Sequence, residues 1–141
     1  MLIRLPSLFA AATLLAAAPG PLLAAVAPEP MHKGLVGDWR NSKNTIHLRV
    51  KQCGPAYCGT VIWAGDQQRA DARKGSGKDL VGSLLLRDLR PSGDKTWRGK
   101  VYVPDINFTV TATVLQMSDV LIRISGCSFG IICRTQHWQR L

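Results

Sequence analysis

The 141 residues, with 18 Lys plus Arg against nine Asp plus Glu and a formal net charge of +9, suffice for one compact domain and not for several. That charge reports solubility and non-specific attraction to anionic surfaces, and a plain cationic exterior accounts for it equally well. Four cysteines, an even count, suit a disulfide framework, and the aromatic residues, 6% of the chain, are too few to plug a lumen.

The first 30 residues, MLIRLPSLFAAATLLAAAPGPLLAAVAPEP, place one positive charge, Arg4, before an apolar run over 8–18, a Pro-Gly-Pro break and a string of small residues. This is the layout of a secretory signal peptide. The run is shorter than the ~20 residues of a spanning helix, and Pro19 and Pro21 end it, so no transmembrane segment is expected in the mature form. Cleavage is expected after Ala25. The divisions are then a signal peptide over 1–25, a flexible segment over 26–35 and one domain over 36–141. The expected location is periplasmic or secreted. No cysteine near the cut invites lipidation, and an exported basic chain points to anionic lipid, glycan or envelope partners rather than nucleic acid.

The remaining chain is a series of short alternating segments, with no apolar pattern at helical spacing sustained over three turns. Strands are predicted over 37–40, 45–51, 59–64, 83–89, 96–103, 106–115, 120–125 and 135–140. The second is the clearest: Ile46, Leu48 and Val50 alternate with His47, Arg49 and Lys51, as on a half-buried strand. Eight short strands joined mainly by hairpins predict an all-β, antiparallel up-and-down barrel, with a two-sheet sandwich as the competing architecture. The polar segment 65–81, GDQQRADARKGSGKDLV, reads as a long surface loop or lid. Its Arg69, Arg73, Lys74 and Lys78 are candidates for an anionic partner. Its GSGKD is not a phosphate-binding loop, since Ala72 stands where the first glycine belongs and Asp79 where Ser or Thr binds magnesium.

In an oxidising compartment the four cysteines suit disulfides, with three connectivities open. Local pairing of Cys53 with Cys58 and of Cys127 with Cys133 is favoured where each pair flanks a tight turn. The spacings Cys-x4-Cys and Cys-x5-Cys are looser than those of structural zinc, and neither is the Cys-x-x-Cys of a redox motif, so no metal or cofactor is expected.

Barrel closure would pair the first and last strands and set Gly37 and Trp39 beside Trp138 and Arg140, with a guanidinium over an indole. These ends resemble the Gly-x-Trp and terminal Arg of lipocalins and related calycin barrels. A fuller resemblance runs from about Val36 to Leu141. Gly37 and Trp39; Cys53, Gly54, Cys58 and Gly59; Gly82; Trp97 and Gly99; Asp105; and Arg134, Thr135, Gln136, Trp138 and Arg140 follow the ordered pattern of the exported bacterial family DUF2147. The chain departs from it after Tyr102, where the family's longer Asp-Pro…Gly-x-x-Tyr connection is shortened to VPDINF. The resemblance implies a small lipocalin-like barrel in the bacterial envelope and capture of an apolar or amphipathic ligand; it transfers no catalytic residues.

Catalysis finds little support. There is no Gly-x-Ser-x-Gly elbow, Ser128 lies inside a cysteine loop, His47 alternates to the polar face, and Asp88, Asp94 and Asp105 adjoin turns. A binder is the preferred reading. Its interior would be built from Ile46, Leu48 and Val50; Trp97, Val101 and Val103; Phe108, Val110, Ala112 and Val114; and Val120, Ile122 and Ile124. Trp63, Tyr102, Phe108 and Arg123 are the candidates for ligand contact. An envelope interaction protein acting through the basic segment is the alternative.

Overall fold

A computed structural model describes residues 34–141; the expected signal peptide, its cleavage site and most of the expected flexible segment lie outside the described residues. Eight strands close into an antiparallel barrel in chain order: β1 (Gly37–Asn41), β2 (Ile46–Cys53), β3 (Ala56–Ala64), β4 (Leu84–Gly93), β5 (Thr96–Val103), β6 (Phe108–Ser118), β7 (Leu121–Ser128) and β8 (Ile132–Arg140). The barrel, not the sandwich, is thus the architecture. Several strands run further than the alternating pattern suggested, because β2–β3 and β7–β8 stay paired up to the two disulfides, Cys53–Cys58 and Cys127–Cys133.

Local chemistry sets the turns. Asn41 ends β1, and its Oδ1 accepts from the Thr45 and Ile46 backbone N–H groups at 2.7 and 3.1 Å while its Nδ2 donates to Thr45 Oγ1 at 2.8 Å. These three hydrogen bonds to Thr45 and Ile46 leave Asn41 buried at little cost, since its polar side-chain atoms are paired. Asp88, held at φ 49°, interrupts the β4–β5 register between Arg87 and Arg90, and the resulting bulge bends the sheet toward closure.

The segment 65–81, expected to be a loop, contains a helix, α1 (Asp66–Ser76). Only Ala72 of it is buried, so the apolar periodicity that identifies a helix is missing. Its remaining signals are terminal: Asp66 in the first turn, Arg73 and Lys74 in the last, and Gly77 at φ 74°, whose N–H donates to the Arg73 carbonyl. The helix lies on a 3-10 turn, Pro104–Ile106. A Cβ at Gly75 would come within 2.0 Å of the Asp105 carbonyl oxygen, so only glycine permits this approach.

The core includes Leu35, Trp39, Leu48, Val50, Val61, Leu86, Leu89, Val114, Ile122 and Trp138. Leu35, expected within the flexible segment, is 1% exposed and belongs to this core, because its carbonyl accepts from Trp39 Nε1 at 2.9 Å. The interior assignments for Phe108 and Val120 are also corrected. They are 40% and 61% exposed, since Phe108 stands at the start of β6, where the alternation runs past the barrel wall, and Val120 lies in the β6–β7 turn.

Candidate ligand-binding site

The two ends of the barrel differ. At one end β1 and β8 pair, Trp39 opposite Arg140 and Asn41 opposite Trp138. The Arg140 guanidinium lies 4.2 Å from the Trp39 ring centroid and donates to the carbonyls of Gly34, Val36 and Asp119 at 2.8, 2.7 and 2.7 Å. Burial draws its pKa below the ordinary value, while the charge of Asp119 pulls it back. Gly37, at φ 137°, makes room for the arrangement, since a Cβ there would stand 2.3 Å from Arg140 Nη1. This end is shut.

The opposite end gathers the 42–45 turn, α1, the Pro104–Ile106 turn and the disulfide-bounded loop 128–132. Beneath α1 lies a cavity of about 610 Å³, within the range of small-ligand sites. Ile46, Leu48, Leu85, Leu86, Val101, Val110 and Ile124 supply apolar wall. Polar groups arrive from two directions: Arg134, Gln136 and Trp138 from β8, and Gln68, Asp71 and Asp105 from α1 and the 3-10 turn beneath it. Asp71 accepts from Gln67 Nε2 at 2.9 Å. Trp138 is 4% exposed, and its Nε1 is buried with no hydrogen-bond partner among the described residues.

Of the four ligand-contact candidates, the structure puts one on this cavity. Tyr102 borders it, with its hydroxyl donating to Asn107 Oδ1 at 2.8 Å and Arg87 4.7 Å from its ring centroid. Trp63 does not line the cavity; it is 46% exposed and packs on His47, ring centroids 4.6 Å apart. Arg123 is exposed, because inward-facing Ile122 and Ile124 flank it on β7. Phe108 faces an outer groove, 5.9 Å from Phe129, with Arg98, Thr111 and Thr113 on the same wall. The residues missed by sequence reasoning, Arg134 and Gln136, carried a signal: they alternate with Thr135 and His137 and share the phase of Trp138.

The basic candidates divide as well. Arg69 and Arg73 both donate to Asp79, at 2.7 and 2.5 Å to Oδ2, and these bonds, led by Arg69, hold the Asp79 carboxyl well below the usual carboxylate range. They fasten α1 to the segment that follows it. Lys74 and Lys78 enter no ion pair among the described residues.

A closed eight-stranded barrel, capped by Trp and Arg at one end and hollow at the other, is a lipocalin-like fold. Residues 37–140 match the family model described as "Uncharacterized protein conserved in bacteria (DUF2147)", and the chain belongs to that family. Its fold is similar to that of HP1028 from Helicobacter pylori, described as belonging to the lipocalin family, with a TM-score of 0.63 and 19% identity over 76% of this chain and 82% of that one. Among curated proteins no match is found.

Proposed function

We propose that the protein is an exported, non-enzymatic binder that carries one small amphipathic molecule in the barrel lumen. The observation that supports this best is the 610 Å³ cavity itself, with mostly aliphatic walls and a few polar groups, in a barrel sealed at its far end. A filled barrel would hold side chains there. The test is native mass spectrometry of protein exported and purified without detergent, followed by extraction of whatever dissociates. A discrete amphipathic adduct on the wild type, absent from Val110→Trp, which fills the lumen, is the expected result. A clean unliganded mass, unchanged by offered amphiphiles, would remove the reading. The same spectrum reads the mature N-terminus, expected at Val26.

A second reading, contact with an anionic envelope surface, draws on the rim of the same mouth. Ile106, Phe108, Phe129, Ile131 and Ile132 are 64, 40, 83, 85 and 62% exposed, and the disulfide at 127–133 holds three of them on one short loop. Lys74 from α1 and Lys78 just after it add charge. Sedimentation with anionic vesicles, weakened by salt and by Phe129→Ser, is the expected behaviour, and indifference to both would remove this reading.

A further inference from the structure

The lumen is chemically lopsided. Along β8 the inward positions are Arg134, Gln136 and Trp138, all on the cavity wall. At strand spacing they cover about 13 Å from near the mouth to the floor. Each offers hydrogen-bond donors: a guanidinium fork, an amide NH2 and an indole N–H. Among the described residues none of the three side chains has a partner, and the Trp138 N–H is buried as well. A buried donor without an acceptor is costly, and it is the kind of group that a ligand atom satisfies. The facing polar groups on the lid are of opposite character, since Asp71 and Asp105 are acceptors at the mouth.

We propose that the occupant is an amphiphile with a carboxylate head that enters head first, setting its oxygens against the β8 donors and leaving its chain toward the apolar mouth. This rests on the lumen-binder reading. A carboxylate is an acceptor only and so complements donors that none of the described residues meets, while Arg134 supplies the compensating charge. An ammonium head would leave the Trp138 N–H unpaired and face Arg134. A hydroxyl head could accept, but without the charge. The lid acids repel an anion held against α1 and the 104–106 turn, which favours placement on the β8 wall, and Ile106 and Ile132 at the rim suit an emerging hydrocarbon chain.

The experiment compares decanoate, decanol and decyltrimethylammonium, each below its micelle threshold, by calorimetry on the wild type, Arg134→Gln and Trp138→Phe. The wild type should bind decanoate about tenfold or more tighter than decanol, and the cation more weakly still. Each variant should lose roughly tenfold for decanoate and little for decanol, which a merely structural role would not produce. Arg134 is exposed, so its variant carries the test if Trp138→Phe does not fold. Equal affinity for decanoate and decanol would overturn the head-group assignment and leave the lumen reading standing. Preference for the cation would shift recognition to Asp71 and Asp105 and overturn it too, as would equal losses for all three probes in Arg134→Gln. Binding of none of the three would sink both readings.

Discussion

Arg140 ties together three stretches of chain. Its bonds to Gly34, Val36 and Asp119 join β8 to the segment before β1 and to the β6–β7 turn, and its stacking on Trp39, in β1, shields the indole from water. Arg140→Ala should therefore lower the unfolding free energy by about 2–4 kcal/mol in urea titration. Arg140→Lys should recover only part of it, because an ammonium lacks the planar fork. By contrast, Asp38 and Arg49 form a bidentate pair at 2.8 Å, and the Arg49 bonds lower the Asp38 pKa, yet the Arg49 side chain is 58% exposed. Asp38→Asn should change stability by less than about 1 kcal/mol, and a larger loss would show that solvent screening is weaker there than the exposure implies. Trp39 and Arg140 were legible in the sequence because closure must bring the chain ends together. Leu35 and Asn41 were not, since nothing local shows a leucine before the first strand to be a plug or an asparagine to be triply bonded.

At the scale of elements, α1 is a lid whose attachment is polar. Two features hold it: Asp79 gripping Arg69 and Arg73, and the close seat of Gly75 on the Asp105 carbonyl. Asp79→Asn should accelerate amide exchange across residues 66–76 at pH 7 and leave the strands unchanged. The folded-state pKa of Asp79 is depressed, so its contribution is fully present above the ordinary carboxylate pKa of about 3.9 and is lost only as pH falls through the lower folded value. Exchange in α1, corrected for intrinsic rates, should stay protected at pH 5 in the wild type. Release of the helix between pH 7 and 5 would contradict the assignment. Gly75→Ala should loosen both α1 and the 104–106 turn, because its Cβ cannot share space with a backbone oxygen. The helix escaped the sequence reading for the reason that makes it a lid: it buries one alanine and offers no apolar stripe, whereas a core-packed helix of the same length would have announced itself.

For the molecule as a whole, the two disulfides close loops of sequence separation 5 and 6 and should each remove only about 2 kcal/mol of denatured-state entropy. Cys53→Ser with Cys58→Ser should lower the melting temperature yet leave a β-type circular dichroism spectrum, since strand pairing closes the barrel around its whole girth. Loss of the fold in that variant would show that the clip does more than hold a hairpin. A lumen ligand should raise the melting temperature with its concentration, as any molecule does that binds only the folded state. The sequence by itself determined the strand series, favoured the local cysteine pairs among three connectivities, and pointed to the meeting of Trp39 with Arg140, because alternation with period two, tight turns and closure are properties of neighbouring residues and of the two ends. Only the tertiary structure decided that the lumen is hollow, that a polar helix covers it, and that Arg134, Gln136 and Trp138 face it without a side-chain partner among the described residues. Those facts depend on how wide the closed sheet stands and on what lies across from each side chain, and distance across a barrel is not written in the spacing along a strand.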